Sequence, residues 1–177
     1  AIDADGYIDP SVEACRKMTD LFNLRSDELT VARSNSRAVN QFPHEWRMAT
    51  YSFNYLPMLN EKGHIDTKQA ELPAHLDMVE KIKESKEPVT LVMTGPLTDL
   101  ARALDTDPDI EKNIDMLYWM GGSLDGHGNV AIVNADGCQE WNAFWDPYAI
   151  KRVFDSNIKI QMVGLESTEE LPLNDEQ

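Results

Sequence analysis

Cysteine is scarce in this sequence: Cys15 and Cys138 are the two in 177 residues. They lie far apart and lack the paired spacing of a zinc site. They read as two reduced, buried thiols of a cytosolic-type protein, and a disulfide between them is neither required nor forbidden. Long apolar runs are missing too. No stretch approaches the ~18 residues that a membrane span needs. No basic segment followed by an apolar one opens the chain, as a secretory signal would, although the first residue is Ala1 rather than Met. Positive charge is also short, with 16 Lys and Arg against 31 Asp and Glu and a formal net charge of −15. Such a field repels phosphates, and no Lys/Arg stripe offsets it, which excludes nucleic acid and other polyanionic partners. A neutral or cationic ligand, or one held by a metal, fits better. The acidity also has the plain role of keeping the protein in solution. His44, His64, His75 and His127 show no metal-ligand spacing and read as surface histidines, with His127 set apart by lying in a polar loop.

What is present describes an ordinary globular chain, with 42% apolar and 27% charged residues. The length suits one domain, so residues 1–177 are expected to form a single α/β domain. Pro10 sits at a helix start, and Val12, Cys15, Met18, Leu21 and Phe22 follow at helical spacing. Glu28 to Ala32 reads as a short strand. Glu45 to Tyr55 reads as a helix ending before Pro57, and residues 59–69 as a loop turning at Gly63. Ala70 to Glu84 again has helical periodicity. Val89 to Met93 is a short β-branched run that reads as a fully buried parallel strand. Leu97, Leu100, Ala101 and Leu104 form a helical stripe. Met116 to Met120 is a second buried strand, ended by Gly121-Gly122. Pro147 to Phe154 is a helix with Asp146 as its N-cap. Ile158 to Val163 is a third strand, ended by Gly164. Ala1 to Gly6 resembles the end of a strand and its loop.

Strand, helix, strand, helix, strand predicts an α/β fold with a predominantly parallel sheet and helices on both faces. Right-handed crossovers bring all strand C-termini to one edge, where open α/β sheets bind ligands. The segments to search are therefore Thr94-Gly95-Pro96, Gly121-Gly122 and Gly164. Residues 125–146 hold the densest polar set: Asp125, His127, Asn129, Asn134, Asp136, Glu140, Asn142 and Asp146. Glu140 and Asn142, two apart, point the same way if the segment is extended. Together they offer acceptors and donors to vicinal hydroxyls, the chemistry of sugar recognition. A solvated loop with turn residues is the other reading of the same composition. In Asn40 to Arg47, Trp46 is suited either to stacking on a flat ligand or to packing in a core or lid. Asp3 and Asp5 suit either a metal or hydroxyl site or a turn.

Three segments resemble one family. Met93-Thr94-Gly95-Pro96-Leu97-Thr98-Asp99-Leu100-Ala101 is similar to a V-x-T-G-P-L-T-N-L/I-A stretch of nucleoside hydrolases. Trp119-Met120-Gly121-Gly122, with Gly128-Asn129-Val130, is similar to their M-G-G…G-N-V element. Glu140-Trp141-Asn142, with Trp145-Asp146-Pro147, is similar to their E-x-N-x-x-x-D-P element. Asp3-Ala4-Asp5 and Asn40 to Arg47 resemble counterparts in the branch that prefers inosine, adenosine and guanosine.

The resemblance implies hydrolysis of the N-glycosidic bond of purine ribonucleosides, as in purine salvage, by a cytoplasmic homo-oligomer, dimer or tetramer. It implies Ca²⁺ as cofactor, with the Thr94 carbonyl among its ligands. It places Asn129, Glu140 and Asn142 on the ribose hydroxyls and Met120 beside the sugar. Trp46 would stack on the purine, Glu45 would line the mouth, and Asp5 would lie near the sugar and leaving base. Asn129 and Asp5 would be catalytic. Replacing Glu140 or Asn142 by alanine is then expected to hurt ribose binding far more than folding. Two family features are not in this sequence: a D-x-D-x-x-x-D-D run ending the first strand, and a C-terminal portion with a further Asp ligand. The chain is therefore expected to hold the central part of the fold. The alternative is a non-catalytic nucleoside- or ribose-binding module.

Overall fold

The computed structural model describes residues 1–24 and 29–170. The chain forms two compact units, Ala1–Lys81 and Ile82–Gln177.

The first unit is mostly helix and loop. Helix α1 (Ile8–Leu21) buries Pro10, Val12, Ala14, Lys17, Thr19 and Asp20. Of the apolar positions that suggested its core stripe, Val12 is buried, but the others face outward: Cys15 is exposed, as are Met18, Leu21 and Phe22. Polar partners make the unexpected face tolerable. The buried Lys17 ammonium donates to the Asn54 carbonyl and side chain and to Asn60 Oδ1 at 2.8–3.2 Å, and pairs with Glu13 at 2.7 Å. The Asp20 carboxylate accepts from the amides of Asp66 and Thr67 at 2.7 and 2.9 Å and from the Thr67 hydroxyl. A buried charge is retained only when its hydrogen-bonding capacity is met in this way.

The helix expected over 45–55 is two short ones, α2 (His44–Arg47) and α3 (Ala49–Asn54). At the break, the Thr50 hydroxyl donates to the Arg47 carbonyl at 2.8 Å, a local bond that competes with the helical ladder. Pro57–Leu59 forms a 3₁₀ turn, and Gly63 turns the following loop with φ +68°. Helix α4 (Ala74–Glu84) starts four residues later than periodicity suggested. Pro73 is the cause: it holds Leu72 out of the helical region, and its carbonyl accepts the first turn's bonds from Leu76 and Asp77. Glu28 lies outside the described residues. The strand expected over 28–32 is otherwise one parallel bridge, Val31 to Gln69. Ala1–Gly6 contributes a similar bridge, Asp3 to Arg37.

The second unit is a parallel sheet with helices. Strands β1 (Val89–Met93), β2 (Ile114–Met120) and β3 (Ile160–Val163) pair in that order, both ladders parallel. Helices α5 (Thr98–Thr106) and α7 (Pro147–Phe154) connect them, with a 3₁₀ segment over Pro108–Asn113, the short α6 (Trp141–Trp145), and α8 (Leu165–Glu169) after β3. Leu117 and Trp119 on one face of β2 are fully buried with Leu97, Leu100, Leu104 and Val153 of the helical layer. The opposite row, Val92, Tyr118 and Gln161 in register, is open; Val92 is 72% exposed. β1 therefore alternates instead of being buried throughout, and the β-branched run alone could not distinguish the two. Asp146 caps α7 as expected, its Oδ1 accepting from the Ala149 amide at 3.0 Å. Its other oxygen accepts from the Thr98 hydroxyl at 2.7 Å, joining the starts of α5 and α7.

Truncating Leu100 or Leu117 to alanine is expected to cost about 2–5 kcal/mol of stability, whereas Val92→Ala should stay within ~0.5 kcal/mol. Urea unfolding of the three variants checks this. A large loss at Val92 would mean that its row of the sheet is covered in solution.

Candidate active site

In the second unit the parallel strands end together, as Met93 pairs with Trp119 and Met120 with Val163. Thr94 follows β1 and is exposed at that edge. The fully buried Trp119 braces the loop after it by donating Nε1–H to the Gly95 carbonyl at 3.0 Å. Gly121 must be glycine, since a Cβ there would lie 2.2 Å from the Trp119 ring. The backbone then stays tied to β3: Gly121 N–H donates to Val163 O, and Leu165 N–H to Gly122 O.

Glu140 is the centre of this edge. It is 3% exposed and caps α6 in extended conformation. Its Oε1 accepts from the Asn142 amide at 3.0 Å; its Oε2 accepts from the Ala143 amide at 3.1 Å and the Gly122 amide at 2.7 Å. One carboxylate therefore satisfies the first turn of α6 and the turn after β2. Asn142 lies inside the helix, not two residues along a strand as its spacing with Glu140 suggested. The helix start still brings both to the end of β2. Asn142 Nδ2 donates to the Met120 carbonyl at 2.9 Å and approaches its sulfur at 3.1 Å. Asn129 is held from the other side: its Oδ1 accepts from the Trp141 amide at 3.0 Å, and its own amide donates to Gln139 O at 2.9 Å. The close pass of these segments needs Gly128, where a Cβ would fall 2.1 Å from the Gln139 carbonyl oxygen.

Met120, Asn129, Glu140 and Asn142 thus form one hydrogen-bonded group next to the end of β2, with Thr94 just past the end of the adjacent strand. Three polar valences face no protein partner among the described residues: Asn129 Nδ2, Asn142 Oδ1 and one lone pair of Glu140 Oε1. The remaining polar-loop residues have local duties. Asp125 and Asp136 accept backbone amides two residues on, and Asn134 sits at φ +70° in a turn. His127 is exposed and 3.2 Å from Asp125.

The first unit holds Asp5, Glu45 and Trp46. Trp46 is 44% exposed and meets Phe42 edge-to-face at 5.5 Å, so it is not a core residue. Glu45 is exposed. Asp5 is accessible at its outer side, yet enough protein surrounds its carboxyl that desolvation raises it above the usual carboxylate range, against the opposing pull of the Asp5 and Gly6 amides. Asp3 has a structural role, with its carboxylate shared by Arg37 and the buried Arg47, whose guanidinium also lies over the Tyr7 ring at 4.1 Å. Nothing in the spacing announced that cluster. Two further expectations are corrected: His75 is buried, not at the surface, and Cys15 and Cys138 are both exposed.

Calcium takes six to eight oxygen ligands. Among the described residues, no group of three or more His, Cys, Asp or Glu side chains could hold a metal. The Thr94 carbonyl and Asp5 do not make such a set, so the residues present do not by themselves fit the ion.

Polar side chains gathered at the carboxyl edge of a parallel sheet stand where open α/β sheets place their ligand sites. The chain belongs to the inosine-uridine preferring nucleoside hydrolase family, whose model matches residues 7–177. It resembles the crystal structure of an inosine-uridine preferring nucleoside hydrolase from Bacillus anthracis, with 46% identity and a TM-score of 0.93 over 99% of this chain and 58% of that one. A purine-preferring ribonucleoside hydrolase from Gardnerella vaginalis is 26% identical with a TM-score of 0.69, over 93% of this chain and 51% of that one. A pyrimidine-specific ribonucleoside hydrolase from Shewanella woodyi is 41% identical over 99 residues, 56% of this chain and 30% of the relative. The chain thus spans little more than half the length of the solved relatives. No described helix is long and apolar enough to cross a membrane.

Glu140→Ala would leave three amides without their acceptor and is expected to cost about 1–3 kcal/mol of stability, measurable by urea unfolding. Glu140 thus has a structural share beside the ligand-binding one expected from sequence. Asp5, with a raised folded-state value, opposes folding once ionised. The penalty enters as pH rises from the unfolded-state value through the folded-state one. Asp5→Asn should therefore raise the melting temperature at pH 7 and leave it unchanged near pH 2; a rise at both would place the effect elsewhere.

Proposed function

We propose that the protein to which this chain belongs hydrolyses the N-glycosidic bond of ribonucleosides, purine ribonucleosides among them, to ribose and free base. The observation that carries this reading is the trio of open valences on Asn129, Glu140 and Asn142, held by the backbone at one strand end. A donor, an acceptor and a carboxylate lone pair match the mixed needs of vicinal sugar hydroxyls. Met120 packs beside the sugar in this reading. The C1′–N bond breaks as the oxygen of one water bonds to C1′, and a proton from that water ends on the departing base. Positive charge gathers on the sugar during this step. The Glu140 carboxylate, already fixed by three amides, stabilises it without having to reorganise. Asn129 is assigned to the reacting sugar, and Asp5 to the sugar and leaving base.

The half-exposed Trp46 indole supports stacking on a purine, with Glu45 beside it. The Bacillus anthracis relative is named for both inosine and uridine, and the Shewanella woodyi relative for pyrimidines, so base preference is a matter for measurement. The family is metal-dependent as a rule, and calcium is the ion we assign, with the Thr94 carbonyl as one ligand among others that the described residues do not supply. A cytoplasmic, homo-oligomeric enzyme acting on a free small-molecule nucleoside completes the proposal.

Incubation with inosine or uridine and calcium should release hypoxanthine or uracil, and chelation should stop it. Tight nucleoside binding with no base released would favour a binding module. Trp46→Ala should lower kcat/KM for inosine by about tenfold and spare uridine; equal losses for both would end the stacking assignment.

A further inference from the structure

We propose that Glu166 is a positioning residue for the sugar site: one of its carboxylate oxygens fixes the turn after β2 and thereby sets where Asn129 stands. The inference rests on the function proposed above and adds to it a residue outside the ribose-contacting set. Glu166 is the second residue of α8, just past the end of β3. Its Oε1 accepts from the Ser123 hydroxyl at 3.0 Å, the Asp125 amide at 3.0 Å and the Leu124 amide. Three consecutive residues of the loop that leaves β2 are thus gathered on one atom. The Ser123 hydroxyl also lies 3.0 Å from Asp125 Oδ1, which in turn accepts from the His127 amide at 2.8 Å. The path of the loop is then closed at Gly128, which donates to the Gly137 carbonyl at 2.7 Å, and at Asn129, which donates to Gln139.

Without Glu166, the stretch from Ser123 to His127 would keep one Asx-type turn and few other fixed contacts. The residue before it would still be held, because Gly122 is tied to Glu140 through N–H and to Leu165 through its carbonyl. Freedom would therefore appear between Gly122 and Gly128, directly upstream of Asn129. A displacement of about an ångström in a binding group is enough to cost roughly a hundredfold in rate. The amide of Asp125, followed by its own amide and that of Leu124, holds the Glu166 carboxyl below the usual range, so it stays an acceptor through mildly acid conditions. Leu124, 82% exposed, contributes no packing that could do the same work.

The test compares Glu166→Ala, Glu166→Gln and Ser123→Ala in the purified protein, using amide hydrogen exchange, calorimetry with ribose, and nucleoside kinetics. Glu166→Ala should speed exchange at Leu124 and Asp125 by about tenfold or more while Leu117–Met120 stay protected. Its ribose Kd and nucleoside KM should rise by roughly tenfold or more. Glu166→Gln keeps Oε1 as an acceptor and should recover most of both effects; Ser123→Ala removes one of the three bonds and should show a smaller version. Unchanged exchange at Leu124 and Asp125 in Glu166→Ala, or an unchanged ribose Kd despite faster exchange, would overturn the proposal. A wild-type protein that neither binds ribose nor releases base would instead defeat the function reading, and the exchange data would still decide whether Glu166 fixes the turn.

Discussion

A parallel sheet that ends on one edge creates a problem of unpaired backbone groups, and in this chain the Glu140 carboxylate solves it. It collects the amide of Gly122 beyond β2 and the first amides of α6, so a strand end and a helix start share one buried anion. Burying a charge is tolerable only when most of its lone pairs are occupied, and three amides do that before any ligand arrives, leaving one lone pair on Oε1 open. Asn142 is positioned by the same helix start, and Asn129 is drawn in through the Trp141 amide. The arrangement at the edge is thus a property of backbone geometry, with little left to side-chain flexibility.

The second unit was largely legible in the sequence. Three short apolar runs with glycines after them gave the strands and their direction, and Asp146-Pro147 announced a capped helix. Glycine at 121 and 128 marked places where backbone or a ring passes too close for a Cβ. The details that escaped have physical causes. Glu140 and Asn142 would share one direction on an extended segment, and spacing cannot reveal that a helix begins between them instead. The open row of β1 and β2 was hidden because valine suits both a buried and an exposed strand position. Glu166 left only one trace, its place two residues after a glycine that ends a strand.

The first unit was harder to read because polar chemistry, not apolar periodicity, organises it. α1 buries a lysine and an aspartate while turning Met18 and Leu21 outward. Hydrophobic patterning then points to the wrong face. Asp3, Arg37 and Arg47 likewise act as a structural knot where the sequence suggested a choice between turn and metal site. Such networks depend on partners distant in sequence, Asn54 and Asn60 for Lys17 or Thr67 for Asp20, and no local pattern encodes them.

The exposure of Cys138 has a practical consequence. It precedes Gln139, whose carbonyl receives the amides of Asn129 and Val130, so it sits at the hem of the loop that carries Asn129. With Cys15 changed to serine, a dye attached there would be a single optical gauge of that loop. Ordering of the loop around a sugar could then be followed by fluorescence, independently of any chemistry at the bond.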